Sequence, residues 1–242
     1  MDRSVYQHMA AMDQRHWWYR ARREVIAALI EREARPHADA RILEIGCGTG
    51  HNLAMLGKFG KVEALELDDE ARSLAEQRLG KKVMSAPLPE LAEVPQAAYD
   101  LIGAFDVIEH IDDDSAALAS IATRLKSGAK LVMTVPAHQW MWSAHDVANH
   151  HKRRYSKAGL KRLLESSPLK LDKIGYFNSL LFPLAAIQRL ASKARRSDDA
   201  GLSLPPAPLN SALEKAFAAE RHLIGRVPFT PGLSLFAVAS AR

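Results

Sequence analysis

The sequence predicts an α/β fold, a three-layer sandwich in which helices cover both faces of a mostly parallel sheet. Three observations support this prediction. Predicted strands and helices alternate from residue 41 to residue 135, and the first strand runs directly into closely spaced glycines. The chain has 242 residues, 48% of them apolar, so it is long and apolar enough to bury one large core.

The composition indicates the compartment in which the chain folds. Its single cysteine, Cys47, allows no internal disulfide and fits a reducing environment. The N-terminal segment carries charges where a secretory signal needs an apolar core. The longest fully apolar run, 180–187, is less than half of a membrane span. We therefore expect a cytoplasmic protein, with a peripheral membrane contact left open.

The net charge of +5 is concentrated in one region. Residues 151–200 hold 12 Lys and Arg against 4 Asp and Glu, a local charge of +8, which leaves −3 for the remainder. Such a region indicates either an anionic partner or a solvated basic face. No RNA-binding module is recognisable in the sequence, so a nucleic-acid partner is not expected.

The first predicted strand and its turn organise the chain. The segment RILEIGCGTG, residues 41–50, predicts a strand and a tight turn, followed by a helix over 51–59. The glycines let the backbone approach a ligand at the start of that helix. Glu44, at the mouth of the turn, would repel a dinucleotide's pyrophosphate but attract a ligand that carries an ammonium group.

The second predicted strand, 62–67, carries Glu66, which lies 20 residues beyond Gly46. An acid at this distance from the first glycine accepts hydrogen bonds from a ribose diol. Glu44 and Glu66 together favour a ligand that joins an adenosine to a cationic amino-acid arm. S-adenosylmethionine is such a molecule.

Apolar runs, capping residues and turn residues predict the remaining elements. Aspartates at 112–114 cap one helix, Gly128 closes it, and Ser156 caps another. The further predicted strands are the runs 100–105, 130–135, 169–177 and 234–241, and the further helices are 115–126 and 157–166.

Four segments in this order resemble the successive motifs of class I S-adenosylmethionine-dependent methyltransferases: ILEIGCGTG, ALELDDE, YDLIGAFDVIEHI and LKSGAKLVMTVP. The resemblance covers roughly residues 38–177 and the last strand. It implies a Rossmann-like sheet of seven strands that is mostly parallel, with a third strand near residue 83 and with 169–177 and 234–241 forming an antiparallel edge. It also implies S-adenosylmethionine as the cofactor.

The resemblance assigns parts of the cofactor to parts of the chain. In that family the glycine loop holds the methionine part, and the acid after the second strand holds the ribose. Residues 83–88 lack the acid that the family often places near the adenine, so Ser85 or a backbone group is expected to serve instead. The expected cofactor residues are Glu44, Gly46, Cys47, Gly48, Gly50, Glu66, Leu67, Ser85, Phe105, Asp106 and Val107.

The resemblance also divides the chain into an N-terminal helical lid, 1–37, and a methyltransferase domain, 38–242. The lid carries the segment HWWYRARR, residues 16–23, whose aromatic side chains would either close over the cofactor or pack against the sheet. An insertion at 178–231, partly helical and partly rich in proline, is expected to cap the substrate site.

The segment HQWMWSAHDVANHHKRRY, residues 138–155, follows the fifth predicted strand and should border the active site. Methyl transfer needs alignment and, when the nucleophile carries a proton, a base, for which histidine is the commonest choice. We expect His145 to be that base, with His110 as the second candidate. On a helix, Asp146 and His150 would share one face, where the carboxylate orients the ring.

Two other interpretations of these histidines stay open. They could only hydrogen-bond the loop in place, with no part in the chemistry. They could also bind a metal, but the spacings of residues 138, 145, 150 and 151 match no standard zinc pattern. No metal site is therefore predicted.

The same segment offers aromatic and basic side chains for a methyl acceptor. The tryptophans would form an apolar or cation-binding wall, and the basic run would hold a phosphate or carboxylate unless it is only solvated. The predicted acceptor-binding residues are Trp18, Tyr19, His138, Trp140, Trp142, Arg153, Arg154 and Tyr155.

The sequence thus predicts methyl transfer to an oxygen or nitrogen of a small molecule, with lipid-like and anionic acceptors among the options. The apolar and then basic segment 180–196 could contact an anionic membrane, line a pocket for a lipid-like acceptor or form an ordinary core helix. A nucleic-acid methyltransferase and a non-catalytic cofactor-binding regulator are the alternatives. The sequence predicts no oligomeric state.

Overall fold

A computed structural model describes residues 3–195 and 203–242, which are built around a six-stranded sheet. The strands are β1 (Arg41–Ile45), β2 (Lys61–Leu65), β3 (Tyr99–Phe105), β4 (Leu125–Pro136), β5 (Leu169–Phe177) and β6 (Ser234–Ala241). Their order across the sheet is β2-β1-β3-β4-β6-β5. The first four of these are parallel, and β6 runs antiparallel to both β4 and β5. The predicted fold class is confirmed, with the reversed strand one position in from the edge.

The strand expected near residue 83 is reduced to a single parallel bridge beside β2. Met84 N donates to Ala64 O at 2.9 Å, and Glu66 N donates to Met84 O at 3.0 Å. The pairing extends no further, and the next residues include Pro87 and Pro89, which have no amide hydrogen to give to a ladder. The described sheet therefore has six strands where seven were expected.

Helices cover both faces of the sheet and complete the three layers. Successive strand residues point to opposite faces. Leu43 and Ile45 enter the core under the helices at 114–124 and 157–165, whereas Ile42 enters the core under the helices at 17–29, 53–56 and 207–218. The α-helices are α1 (Arg3–Met12), α2 (Trp17–Leu29), α3 (Leu53–Leu56), α4 (Asp69–Leu79), α5 (Asp114–Arg124), α6 (Ala144–Ala148), α7 (Lys157–Glu165), α8 (Phe182–Arg195) and α9 (Ala207–Ala218).

The helix after the glycines is much shorter than the predicted 51–59. It consists of one turn, α3, because Asn52, the residue before it, hydrogen-bonds to Glu44 beneath the loop, and Gly57 ends the helix. Asn52 turns its side chain toward Glu44, donating from Nδ2 to Oε1 at 2.8 Å, and Gly57 is the C-cap.

Residues 139–151 do not form the single helix on which the pairing of Asp146 with His150 depended. A 3₁₀ turn at Gln139–Met141 is followed by α6, which begins after Ser143 in a capping box with Asp146. The break matters for the site because it places His150 beyond the end of α6, at a φ of +55°.

The two helices of the insertion, α8 and α9, pack against different parts of the protein. Helix α9 packs against α2, where Phe217 meets Trp17 edge-on with ring centroids 6.2 Å apart. Helix α8 lies against the histidine-rich segment, and Arg189 donates a hydrogen bond to the main-chain oxygen of Trp142. Buried Glu220 fixes the chain before α8 by accepting backbone hydrogen bonds at 178–180, with distances of 2.6–2.8 Å.

Parts of two predicted segments lie outside the described residues. These are the first two residues of the expected lid and residues 196–202 of the insertion, which include the last residue of 180–196. Within the described parts of the chain, no helix has both the length and the apolar character needed to cross a membrane.

Candidate active site

The carboxyl end of β1 opens into the glycine loop, residues 46–50. Gly46, Gly48 and Gly50 have φ values of +64°, +55° and +81°, a region in which other residues are strained. A Cβ at Gly46 would lie 2.8 Å from Val107 Cγ2, so the loop passes closely over the end of β3. Gly46 is exposed, and its backbone is therefore open to a ligand.

Glu44 lies beneath this loop and is buried. Its Oε1 accepts the hydrogen bond from Asn52, whereas its Oε2 is buried and accepts none from the described residues. Burial raises the pKa of Glu44 to about 8, a shift that the Asn52 bond opposes and the charge of Glu66 supports. A buried carboxyl group with one free oxygen is suited to a cationic group of a ligand.

Glu66 follows β2 and faces the same loop. Its Oε2 accepts a hydrogen bond from Gly48 N at 2.8 Å, and its Oε1 accepts from Leu67 N and Asp68 N at 2.9 Å each. The hydroxyl of Tyr6 in α1 also lies 3.4 Å from Oε1. Glu66 thus stabilises the conformation of the glycine loop. It is also the residue that is predicted from the sequence to bind the ribose.

An ion pair between buried Arg22 and partly exposed Asp106 lies at the carboxyl ends of β3 and β4. Arg22 Nη2 lies 2.7 Å from Asp106 Oδ2 and donates to Thr134 Oγ1 at 2.6 Å, and Thr134 Oγ1 donates to Asp106 Oδ1 at 3.2 Å. Arg22 Nη1 is buried and has no hydrogen-bond partner within the described chain. The guanidinium also lies over the Trp18 ring, 4.8 Å from its centroid. One donor group of this arginine therefore stays available.

The other predicted cofactor residues have distinct surroundings. Cys47 is buried in the core under α2, and burial raises its pKa, so the thiol stays neutral and packs. Phe105 is buried in the same core. Leu67 is 56% exposed and Ser85 is exposed, which leaves both side chains accessible at the end of β2.

Helix α1 covers the glycine loop, whereas the aromatic residues after it pack against the core under α2. A Cβ at Gly48 would lie 3.6 Å from Met9 Sδ of α1. Tyr19 is only 5% exposed and meets the His51 ring edge-on at 5.5 Å, while Trp18 lies against Arg22. Tyr19 is therefore a core residue, and its predicted role as an acceptor contact stays a prediction.

Asp146 is the centre of the histidine-rich segment and is fully buried. Its carboxylate accepts hydrogen bonds from Ser143 N and Oγ at 2.8 and 3.0 Å and from Arg154 Nε and Nη2 at 2.8 and 2.9 Å. His151 Nδ1 lies 2.9 Å from Oδ1. Burial alone would raise the pKa of Asp146, but the bonds from His151 and Arg154 hold it well below its usual range. The predicted pair with His150 depended on a continuous helix, and His151 takes that place.

The two predicted bases, His110 and His145, both lie near His151. The ring of His110 is 4.7 Å from that of His151, and the ring of His145 is 6.4 Å from it. Nε2 of His145 lies 3.2 Å from Asn149 Nδ2. Burial and the nearby His151 lower the pKa of His110 to about 4, so its ring is neutral at neutral pH.

The basic run makes ion pairs within the protein, and its predicted role in holding an anionic acceptor stays a prediction. Tyr155 is 6% exposed and donates from its hydroxyl to Asp114 Oδ2 at 2.8 Å. These side chains therefore tie the segment to the fold. The ion pairs of the run are Lys152 with Asp112, Arg153 with Asp114 and Arg154 with Asp146, at 3.2, 2.9 and 2.8 Å.

An aromatic cluster joins the start of the segment to β5 and α8. The His138 ring stacks on Tyr176 with centroids 5.4 Å apart and an interplanar angle of 8°. Phe182 lies 5.4 Å from His138 and 6.3 Å from Trp140. Trp140 is 42% exposed, so this cluster presents an aromatic wall to solvent.

A second group, the Glu109 cluster, consists of Glu109, His110 and His151. One possible ligand atom from each residue lies within 4.8 Å of the others. Glu109 is fully buried, and neither of its carboxyl oxygens has a hydrogen-bond partner among the described residues. The histidine spacings of 138–155 gave no sign of this cluster, because it joins that segment to the residues after β3.

Sequence reasoning also missed Arg22 and Thr134. Arg22 stands among four arginines in 15–23, and charge alone does not distinguish it from the others. Its helical spacing does, because it shares a face with Trp18, Val25 and Leu29, all of which turn toward the core. An arginine on an apolar helix face was thus the available signal.

Comparisons with known proteins identify the family that the chain resembles. A family model described as a methyltransferase domain matches residues 17–174. A probable S-adenosylmethionine-dependent methyltransferase of Mycolicibacterium smegmatis is 26% identical over 168 residues, which are 67% of this chain and 63% of that protein. Another from Mycobacterium tuberculosis is 30% identical over 128 residues, 52% of this chain and 44% of that protein. The chain thus spans less than two thirds of the length of each of these relatives.

The fold is also found among solved structures. That of a SAM-dependent methyltransferase from Archaeoglobus fulgidus superposes with a TM-score of 0.56 at 17% identity, covering 90% of this chain and 94% of the other. At this identity the likeness concerns the fold alone.

Proposed function

The chain belongs to the methyltransferase domain family, and from that premise we propose that it transfers a methyl group from S-adenosylmethionine to an oxygen or nitrogen atom of a small molecule. One observation carries the proposal. The carboxyl ends of β1, β2 and β3 bring an exposed glycine backbone, the free oxygen of Glu44 and the carboxylate of Glu66 to one place.

The groups at this place fit the cofactor's functional groups. Glu44 Oε2 would receive the ammonium group, Glu66 the ribose hydroxyls, and the unpaired Nη1 of Arg22 the carboxylate. S-adenosylmethionine supplies a methyl group on a positively charged sulfur. The chain's part in the reaction is then to align an acceptor with that methyl group and to take up a proton.

The base we propose is His145. It lies close to His151 and the Asp146 network, in a segment that borders the cofactor edge of the sheet. His110 is the weaker candidate, because a base with a pKa of about 4 accepts protons poorly at neutral pH. The aromatic wall of His138 and Trp140 would shape the acceptor site.

A small acceptor is favoured over nucleic acid because the basic side chains of 152–154 form ion pairs within the chain. Lys152, Arg153 and Arg154 face acids of this chain, so they offer little of the unpaired charge that phosphate backbones need. Salt-dependent binding to tRNA would contradict this preference.

Single-turnover transfer from S-adenosylmethionine labelled in the methyl group tests the proposal. A panel of phenols, aliphatic alcohols, carboxylates and amines should contain an acceptor that takes up label in wild type. A His145→Gln variant should transfer about 10²- to 10⁴-fold more slowly, because a general base is removed. Cofactor binding without transfer to any acceptor class would instead favour a non-catalytic regulator.

We expect cofactor binding to release a proton from Glu44. At pH 7 a carboxyl group with a pKa of about 8 is mostly protonated, and an ammonium group beside it favours the ionised form. The pKa of Glu44 therefore falls on binding, and affinity rises with pH up to about 8. Titration calorimetry in two buffers of different ionisation enthalpy measures the release.

A Glu44→Gln variant is the matched control for this proton. Its binding enthalpy should not depend on the buffer, because the amide that replaces the Glu44 carboxyl group has no proton to release on binding. Equal enthalpies in both buffers for wild type would contradict the pairing of Glu44 with the ammonium group.

Helix α8 supports a proposal of peripheral contact with an anionic membrane. Leu184, Ile187 and Leu190 are 59%, 67% and 59% exposed on one helical face, and positive residues follow in the sequence to position 196. Vesicles that contain phosphatidylserine should sediment the protein, and an Ile187→Ser, Leu190→Ser double variant should stay in solution. Equal recovery with and without anionic lipid would remove the proposal.

A further inference from the structure

Glu109 is a buried acid whose surroundings the proposed methyl transfer does not explain. It follows β3 in the 3₁₀ turn Ile108–His110 and is fully buried. Neither carboxyl oxygen has a hydrogen-bond partner among the described residues. A buried carboxylate is costly unless a hydrogen bond or a positive charge compensates it. A cation bound beside Glu109 would supply this compensation.

His151 turns a nitrogen toward this acid without reaching it. Its Nδ1 is engaged by Asp146 at 2.9 Å, and its Nε2 lies 4.0 Å from Glu109 Oε1. That separation is too long for a hydrogen bond. When the Nδ1 proton is held by a carboxylate, Nε2 carries the lone pair that a metal ion uses, an arrangement common at metal sites.

His110 completes the set from the other side. Its ring lies edge-on to that of His151, and the backbone of Asn149 hydrogen-bonds to it, which gives this histidine the outer partner that metal-bound rings usually have. Lys152 N donates to Glu109 O at 2.8 Å and so holds the two segments of the cluster together. We propose that Glu109, His110 and His151 bind one divalent metal ion.

The donor set favours zinc. Two imidazole nitrogens and one carboxylate oxygen are ligands that Zn²⁺ accepts, with three protein ligands and a fourth position open to water or substrate. Tetrahedral ligands at about 2.1 Å from zinc lie about 3.4 Å from one another. The three donor atoms here already lie within 4.8 Å of one another, so a small inward movement of side chains forms the site.

The open position suggests what the metal does. An acceptor hydroxyl bound there would lose its proton more readily, the proton would pass to His145 or to water, and the oxygen would then form the bond to the transferred methyl carbon as the bond to sulfur breaks. This role rests on the proposed methyl transfer, whereas metal binding by the Glu109 cluster does not.

Metal binding is tested on the full chain, freed of any affinity tag and treated with a chelator. Calorimetric titration with Zn²⁺ should give one site per chain, and elemental analysis after dialysis should find about one zinc per chain. Glu109→Gln should weaken Zn²⁺ binding at least tenfold. His222→Gln, which changes an exposed histidine outside the cluster, should leave it unchanged.

Titration of the same samples with S-adenosylmethionine separates the two proposals. If Glu109→Gln loses zinc binding but keeps its affinity for S-adenosylmethionine, a metal site next to a working cofactor site is supported. If zinc-loaded wild type does not bind S-adenosylmethionine, the proposed methyl transfer is contradicted and the metal site is not. Should Glu109→Gln fail to fold, the visible absorption of Co²⁺ added to wild type reports the coordination directly. Stoichiometry well below one zinc, or equal binding by wild type and Glu109→Gln, would overturn the metal site.

Discussion

Replacement of Glu66 by alanine should weaken S-adenosylmethionine binding by roughly 10- to 150-fold, the equivalent of about 1.5–3 kcal/mol for lost charge-assisted hydrogen bonds. The carboxylate is buried beside the glycine loop and bonds to Gly48 N. The variant thus loses both the predicted ribose contact and one support of the loop. Calorimetric titration with S-adenosylmethionine and S-adenosylhomocysteine measures the loss, with NAD as the ligand expected not to bind.

Two further variants help to separate the loss of the ribose contact from the loss of support for the loop. Glu66→Gln keeps the shape but only one acceptor oxygen, so it should keep part of the backbone hydrogen bonding at the loop and lose only part of the affinity. Glu93→Ala removes an exposed acid away from the loop and should bind as wild type does. Wild-type affinity in Glu66→Ala would mean that this acid only shapes the loop and that the ribose lies elsewhere.

Replacement of Asp146 by alanine should lower the free energy of unfolding by about 3–5 kcal/mol, because it leaves buried groups without their counter-charge. Arg154 and His151 both depend on this carboxylate, and Ser143 loses its partner at the start of α6. Urea unfolding followed by circular dichroism measures the change. A chelator in the buffer keeps any bound metal from contributing.

The matched control is Asp112→Ala, which removes an acid from the neighbouring pair with Lys152. That carboxylate is 83% exposed, and surface ion pairs contribute little, so its unfolding curve should follow that of wild type. Equal stability of Asp146→Ala and Asp112→Ala would show that Arg154 and His151 find other partners.

The sheet and the glycine loop were predictable because their signals are local. A strand shows as an apolar run and a loop as glycines, and both depend on neighbours in sequence, as in 41–50. The bridge at Met84 shows the limit of this rule, since Pro87 and Pro89 end the pairing although the preceding residues resemble a strand.

The histidine-rich segment was only half predictable, because its contacts are tertiary. Its location at the end of β4 follows from topology. Its pairs do not, since Asp146 finds Arg154 across the end of α6, and His151 meets Glu109, which lies in another loop. Periodicity predicts which residues share a face of one element, but it cannot show which loops will meet.

The position of β6 has a consequence for how the protein is made. This strand pairs with β4 through residues far apart in sequence, and Lys130 and Ser240 are separated by 110 positions. Until residues 234–241 have left the ribosome, the edge of β4 that includes Leu131, Met133 and Val135 has no pairing strand. Strand β5 likewise has no neighbouring strand with which to pair. Such late, distant pairing slows folding and exposes nascent chains to aggregation, so synthesis of this protein leaves a long interval in which a chaperone has a strand edge to protect.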